Sequence, residues 1–120
     1  KCYHAGMSET DSCIFCKIAA EEVPAERVYE DDAFLAFLDI DPVAPGHTPL
    51  IPKYHHRWFY DMPDDLYTDL FKTVKRLANE MKETYAADYV RLGIVGTAVP
   101  PVHVHLIPRK LGDGPIPPVV

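Results

Sequence analysis

Two histidines stand one residue apart in the stretch AVPPVHVHLIPR, which runs from Ala98 to Arg109. His103 and His105 alternate there with aliphatic residues, and prolines close the run on both sides. A neutral imidazole can act near pH 7 as a nucleophile, an acid or base, or a metal ligand. Two imidazoles on one face of a strand could therefore act on the same bound group. The polar outer face of a sheet explains the same pattern without chemistry, and the His-x-His pair alone does not separate the two interpretations.

The cysteines offer a second kind of chemistry. Cys13 and Cys16 have the Cys-x-x-Cys spacing that supplies half of a zinc site. Two reduced thiols packed as small apolar groups are the alternative. Cys2 makes the number of cysteines odd, and no basic segment followed by an apolar one begins the chain. We therefore expect a reducing, cytoplasmic environment in which the thiols are free or bound to a metal.

One long amphipathic helix is the clearest predicted element. Over residues 64–86, apolar residues recur every three or four positions, at Leu66, Leu70, Val74, Leu77, Met81 and Tyr85. Pro63, Asp64 and Asp65 are typical of a helix start, where carboxylates meet the positive end of the helix dipole. A shorter helix is predicted from about Ile14 to Glu21.

The remaining segments predict a sheet. Short β-branched and aromatic runs bounded by turn residues indicate strands over 27–29, 34–39, 47–52, 89–95 and 102–107. Pro49 moves its strand towards an edge or an irregular pairing. The loops are too short for repeated parallel crossovers, so we expect an α+β fold with a mainly antiparallel sheet. Period-two alternation points Val102, Val104 and Leu106 into the core beneath the long helix, and both histidines the other way.

Composition excludes some classes of function. The chain has 120 residues and a net charge of −6, which argues against a protein that coats nucleic acid. No apolar run approaches the ~20 residues that cross a bilayer, so no membrane partner is expected. A small phosphorylated ligand, which needs only a few local donors, remains compatible with this charge.

The segments CIFCKIAAEEVPAERVYEDDAFLAFLDIDPVAPGHTPLIPKYH and VPPVHVHLIPR, with the long helix between them, resemble the histidine triad (HIT) family of nucleotide-binding proteins. The resemblance extends from about Cys13 to Arg109. It implies a HIT-like fold, a five-stranded mainly antiparallel sheet with one long and one short helix, and a homodimer with a continuous sheet. The domain division it suggests is an N-terminal extension over 1–12, a HIT domain over 13–110 and a C-terminal tail over 111–120.

The resemblance also implies a reaction. His103 matches the family's nucleophile, which attacks the α-phosphorus of a nucleoside phosphoramidate or dinucleoside polyphosphate and forms a nucleotidyl-histidine. His105 would contact the phosphate and help manage charge on the leaving group, and His47 matches another histidine close to the nucleophile. No cofactor is required for this chemistry.

The nucleoside pocket carries over in the same way, for an AMP-like purine nucleotide. Asp39 matches the carboxylate that accepts the ribose hydroxyls, a role that suits a group with acceptors only. Thr97 stands where the family holds the phosphate with polar groups. The residues that match the walls of the purine slot are Ile14, Phe15, Val23, Phe37, Leu38 and Ile40.

Two departures from the family pattern keep other functions open. Pro101 stands where the first triad histidine belongs, and the segment IVGTAVPP is shorter than in many members. Losing a preorganised donor can cost ~100-fold in rate, so a catalytically weakened nucleotide-binding or regulatory protein is the alternative.

Zinc is the metal that the resemblance implies. Some members hold it with the residues that match Cys13, Cys16 and His55, together with the first triad histidine, which is Pro101 here. The remaining candidates for a fourth ligand are His56, Cys2 and His4. A third functional hypothesis is therefore a zinc-assisted interaction with a partner protein.

The segment after the third predicted strand carries basic and aromatic residues that can be explained without a function. Lys53 and Arg57 could contact a phosphate, although exposed basic residues are usually only solvated. Trp58, Phe59 and Tyr60 indicate packing or a dimer surface.

Overall fold

Five strands and two α-helices form the part of the chain that the computed structural model describes, residues 14–94 and 102–115. In chain order these elements are α1 (Ile14–Ala19), β1 (Arg27–Glu30), β2 (Phe34–Phe37), β3 (Thr48–Pro52), a 3-10 turn (Phe59–Asp61), α2 (Asp64–Thr84), β4 (Tyr89–Ile94) and β5 (Val104–Arg109). The predicted α+β class, with one long and one short helix, is confirmed. The last strand begins at Val104, two residues later than the sequence predicts, so His103 lies immediately before it.

All neighbouring strands in the sheet are antiparallel, in the order β1-β2-β3-β5-β4. The predicted antiparallel sheet is therefore confirmed. β5 pairs with β3 on one side and with β4 on the other, and Gly93 and Pro49 lie opposite His105. The histidine strand is thus held on both edges by backbone hydrogen bonds.

Pro49 lies within the sheet and not at its edge. The sequence predicts either an edge strand or an irregular pairing here; because β3 runs between β2 and β5, the first alternative is wrong. The N–H of Lys53 donates to Ala33, towards β2, and alternation along the strand turns the nitrogen of Pro49 to the same side. The registered pairs of β2 with β3 end at Ala36 and Leu50. Pro49 lies one residue beyond the end of that ladder, so its missing N–H breaks no registered pair with β2.

The sheet is covered on both faces. Against α2 it packs one cluster of buried side chains, which includes Phe34, Leu50, Leu70, Val74, Leu77, Val104 and Leu106. Against α1 it packs a second and smaller cluster: Phe15, Cys16, Ile18, Ala19, Leu35, Phe37 and Ile51. Val102 and Val104 belong to the α2 side, as the alternation predicts, which leaves His103 and His105 for the α1 side.

Helix α2 begins with Asp64 and Asp65 after Pro63, as the sequence predicts. Its buried stripe contains Leu70, Thr73, Val74, Leu77 and Met81. Tyr85 belongs to the predicted stripe but lies after the helix, 38% exposed. Among the described residues, no helix combines the length and apolar character that crossing a bilayer requires.

Arg27 holds α1 over the sheet. Its Nη2 donates to the carbonyl oxygen of Ile18 at 2.9 Å, and its Nη1 forms an ion pair with Glu30 at 3.0 Å. A cation near the carboxyl end of a helix also meets the negative end of the helix dipole. A six-residue helix has little stability of its own, so this bond and the packing of Phe15 and Ile18 fix its position.

Gly46 lets the loop before β3 pass close to its neighbours. Its φ is +85°, a region that favours glycine. A Cβ atom there would lie 2.7 Å from Cζ of Tyr85 and 2.8 Å from Cγ of Pro108. This close approach fixes the position of the next residue, His47.

We predict that Gly46→Ala lowers the free energy of unfolding by about 2–4 kcal/mol, because backbone strain and steric overlap add. Gly112→Ala is the matched control, since Gly112 has a similar φ of +91° and nothing within 4 Å of a Cβ. We expect about 1 kcal/mol for that change, from backbone strain alone. Urea unfolding of both variants tests this, and equal losses would contradict it.

Candidate functional site

Three loop and strand positions bring Asp39, His47 and His105 together on the α1 side of the sheet. Asp39 and His47 lie at the two ends of the loop between β2 and β3, where the Asp39 N–H donates to the His47 carbonyl oxygen at 3.0 Å. His105 lies in the neighbouring strand. One ligand atom from each of these side chains lies within 4.8 Å of the others.

A chain of hydrogen bonds sets the tautomers of two of these histidines. The backbone N–H of Val43 donates to Nδ1 of His47 at 3.2 Å, so that nitrogen is an acceptor. In a neutral ring the proton then resides on Nε2, which donates to Nδ1 of His105 at 2.7 Å. His105, when neutral, therefore carries its proton on Nε2. The spacing of Asp39, His47 and His105 would suit a metal, but Nε2 of His47 is committed as a donor.

Burial keeps His47 neutral near pH 7. It lowers the pKa of His47 below the ordinary value; Asp39 acts in the opposite direction, and His103 adds to the lowering. Oδ2 of Asp39 lies 3.6 Å from Nε2 of His47, while Oδ1 accepts the N–H of Asp41 at 2.9 Å. The carboxylate is thus oriented by the loop and remains partly open to solvent.

His103 is fully buried and lies between α1 and β5. Its ring is 4.7 Å from that of Phe15 and 4.7 Å from that of His105, measured between centroids. Phe15 also contacts Phe37, at 5.9 Å. Helix α1 therefore covers the imidazole and forms an apolar wall beside it.

A cavity of about 220 Å³ opens next to these groups. Its walls are apolar except for one carboxylate and two imidazoles, and they consist of Ile14, Phe15, Ile18, Val23, Pro24, Ala25, Phe37, Asp39, Ile40, His103 and His105. A cavity of this kind, with a few convergent polar groups, is typical of a small-molecule site.

The structure brings most of the sequence-predicted catalytic and nucleotide-binding residues to this cavity; of those it describes, Leu38 and His47 do not line it. Leu38 lines a separate cavity of about 140 Å³ against α2, because alternation turns it away from Phe37 and Asp39. His47 touches the cavity only through His105. Thr97, Cys13 and Pro101 lie outside the described residues.

Three lining residues escaped the sequence analysis. Ile18 lies one helical turn after Ile14, so helical periodicity could have found it. Pro24 and Ala25 follow Val23 in an irregular segment, for which no periodicity exists.

Cys16 and His55 form a second group. Sγ of Cys16 lies 3.1 Å from Nδ1 of His55, and both residues are buried. Zinc bound to one sulfur and one nitrogen would hold them only slightly farther apart, given bond lengths of about 2.3 and 2.0 Å. Cys16 is disulfide-bonded in this structure, which corrects the expectation of a free or metal-bound thiol. The pair therefore fits zinc only after reduction, and the described residues supply two of the four ligands.

Comparison with known protein families agrees with the fold and with the arrangement of histidines at the cavity. The family model described as HIT domain matches residues 20–112. This chain belongs to the histidine triad family. An uncharacterised HIT-like protein of Methanocaldococcus jannaschii is 44% identical over 108 residues, which cover 87% of this chain and 84% of that protein.

Two further HIT proteins carry informative names. An adenosine 5′-monophosphoramidase of Saccharomyces cerevisiae is 44% identical over 100 residues, 82% of this chain and 63% of the yeast enzyme. This HIT chain thus spans less than two thirds of that enzyme. A zinc-bound histidine triad family protein of Mycobacterium smegmatis superposes with a TM-score of 0.80 and 35% identity, over 87% of this chain and 79% of that one.

The lowered pKa of His47 predicts how stability depends on pH. Because the unfolded chain binds a proton more readily than folded His47, the free energy of unfolding falls as pH drops below about 6.5. In His47→Asn this contribution is absent, so we expect a lower stability at neutral pH but a shallower decline towards about pH 5. Urea unfolding across this range measures both slopes. Parallel slopes would show that His47 is not the group responsible.

Proposed function

We propose that this chain hydrolyses or transfers purine nucleotides at the α-phosphorus, through a nucleotidyl-histidine intermediate. The observation that carries the proposal is the single cavity in which an apolar slot, the Asp39 carboxylate and the His103 and His105 imidazoles meet. The activity in the name of the yeast relative supports the same reaction class.

The apolar walls would bind the purine base. Ile14, Ile18 and Val23 offer aliphatic surface, and Phe15 and Phe37 offer aromatic surface, which suits a flat heterocycle. Asp39 would accept hydrogen bonds from the ribose hydroxyls, since an ionised carboxylate has only acceptors. The bond from Asp41 to Oδ1 holds this carboxylate in place before the ligand arrives.

His103 would act as the nucleophile. Its ring nitrogen forms a bond to the α-phosphorus while the bond from phosphorus to the leaving group breaks, and the leaving group takes up a proton. Water then attacks the same phosphorus, the histidine–phosphorus bond breaks, and a nucleoside monophosphate is released. Covalent catalysis divides one difficult displacement into two easier steps.

His105 and His47 would manage the charge of this reaction. The tautomer of His105 places its proton on Nε2, which suits a hydrogen bond to a phosphate oxygen or proton transfer to the leaving group. His47 acts on His105 by donating to its Nδ1 and so maintains this tautomer.

The second candidate is a nucleotide-binding or regulatory protein with weakened catalysis. Pro101 in place of the first triad histidine favours it, because one hydrogen-bonding group of the family pattern is missing. In this case the cavity binds a nucleoside monophosphate but turnover is slow.

The decisive comparison uses wild type and His103→Ala with a fluorogenic adenosine phosphoramidate. We expect the substitution to lower kcat/KM by about a thousandfold or more, because the nucleophile is lost. Mass spectrometry of acid-quenched wild type should show a nucleotidyl adduct on the peptide that contains His103.

Calorimetric titration with AMP is the control for binding. Equal, slow hydrolysis by wild type and His103→Ala, with AMP bound by both, would exclude the enzyme and favour the weakened binder. Absence of AMP binding by wild type would exclude both candidates.

We also propose a homodimer in which β4 extends the sheet of a second copy. β4 is one of the two edge strands of the described sheet, with β1 at the other edge, and it exposes Tyr89 and Leu92, at 41% and 45%. An uncovered edge of this kind is a template for pairing with another strand.

A structural zinc ion is proposed for the reduced protein, held by Cys13, Cys16 and His55. The convergence of Cys16 and His55 supports it, as does the zinc in the Mycobacterium smegmatis relative. A reducing cytoplasm, which the sequence predicts, would keep these thiols available. Bound zinc would fix α1 to the segment after β3, and no step of the reaction involves it.

Elemental analysis after reduction and gel filtration tests the zinc site. We expect about one zinc ion per chain in reduced wild type and a loss of most of it in Cys16→Ser, because two remaining ligands hold zinc weakly. Oxidised wild type is the control and should hold none. Reduced wild type free of metal would contradict the proposal.

A further inference from the structure

We infer that Arg57, Trp58 and Tyr60 form a second nucleotide subsite, which binds the base and a distal phosphate of the leaving group when the substrate is a dinucleoside polyphosphate. This inference rests on the proposed function and specifies the substrate class. We call these three residues the aromatic stack.

The aromatic stack consists of three flat groups in layers. Cζ of Arg57 lies 4.6 Å from the centroid of the Trp58 ring. The rings of Trp58 and Tyr60 are 6.0 Å apart and within 5° of parallel. Tyr60 is 68% exposed, so the outer layer can accept a further flat group. Stacking on aromatic side chains is a general way of binding nucleobases.

Packing in the core does not explain why the Tyr60 ring is exposed. Phe59, between the two stacked rings in sequence, is the residue of the segment that packs against the α2 side of the core. It supports Tyr60 edge-on, with ring centroids 5.3 Å apart. Of the two sequence interpretations of these aromatic residues, packing or a dimer surface, packing fits Phe59. Trp58 is half-buried between Arg57 and Tyr60, and the exposed ring of Tyr60 is the one that a ligand can reach.

Arg57 provides a positive charge that can bind a phosphate. Its Nε atom is buried without a hydrogen-bond acceptor among the described residues, which is a costly state for a cationic donor. A guanidinium can contact an aromatic face and still donate hydrogen bonds to phosphate oxygens, and the Nη atoms of Arg57, not the buried Nε, would make these bonds. A base and an anion together are the two chemical features of a nucleotide.

The segment that carries the aromatic stack is bonded to the chain just before His103. The N–H of Val102 donates to the carbonyl oxygen of His56 at 2.7 Å, so this segment is bonded to the residue that precedes His103. Trp58 follows two residues later, and its Cα can be no more than ~7 Å from that of His56. Because Val102 precedes His103 directly, a polyphosphate attached at His103 would extend along this segment to reach the aromatic stack.

A tethered base needs little affinity of its own. The first nucleotide holds the second near the aromatic stack at a high effective concentration, so stacking on Tyr60 adds to binding. The net charge of −6 disfavours a single-stranded nucleic acid as the occupant. The leaving half of a dinucleotide is the occupant that these contacts fit best.

Trp58 provides a direct readout because it is the only tryptophan of the chain. In His103→Ala, which prevents turnover, we expect diadenosine triphosphate to change Trp58 fluorescence, because its second base stacks on Tyr60, the ring that contacts Trp58. AMP, which fills only the first site, should change this signal little.

Kinetics with wild type provide the second readout. We expect Tyr60→Ser to lower the ratio of kcat/KM for diadenosine triphosphate to kcat/KM for adenosine phosphoramidate by about tenfold, since only the former carries a second base. Tyr60→Phe is the matched control, because it keeps the ring on which a base can stack, and it should leave the ratio unchanged.

The outcomes separate this inference from the function it rests on. If adenosine phosphoramidate is hydrolysed but Trp58 does not respond to the dinucleotide, or Tyr60→Ser leaves the ratio unchanged, the second subsite is wrong and the proposed function stands. If neither substrate is bound or hydrolysed, both are wrong. A fluorescence change with an oligonucleotide but none with the dinucleotide would assign the stack to nucleic acid and overturn the inference.

Discussion

Strand β5 is confined on every side, and this constraint organises the molecule. Backbone hydrogen bonds from β3 and β4 hold its edges, α2 covers one face, and α1 covers the other. A strand in this position can direct alternate side chains only to two predetermined places. Val104 and Leu106 meet the large core, and His105, with His103 just before the strand, meets the small one. The imidazoles are thereby held at a fixed orientation with no freedom to turn outward.

The loop between β2 and β3 is also held in one position by its neighbours, and it brings His47 to the site. Gly46 passes too close to Tyr85 and Pro108 for any other residue, and it delivers His47 to within 2.7 Å of His105. The Val43 N–H then settles where the protons of both histidines lie. Chemistry that depends on a tautomer is thus controlled by backbone geometry, and a change far from any ligand can alter it.

Helix α1 contacts both the cavity beside His103 and the segment that follows β3. Phe15 covers His103, and the next residue, Cys16, contacts His55. Through His56 the same segment is bonded to Val102 and continues into the aromatic stack. A change at Cys16 would therefore act, through Phe15, on the wall of the cavity beside His103. The position of α1 depends on side-chain contacts and the Arg27 bond, because six residues cannot form a stable helix alone.

Local pattern in the sequence was sufficient for the elements, for the opposite faces of Val104 and His105, and, through resemblance, for most of the cavity. The elements and the faces depend on periodicity, which neighbouring residues set among themselves, whereas the cavity residues were expected only from the family resemblance. The tertiary structure alone decided that Pro49 is central, that Leu38 faces α2, and that Tyr85 closes on Gly46. It also decided that Arg57, Trp58 and Tyr60 stack in the segment that is bonded to Val102. These contacts depend on which segments, far apart in the sequence, pack against each other, and the periodicity of the sequence carries no information about that.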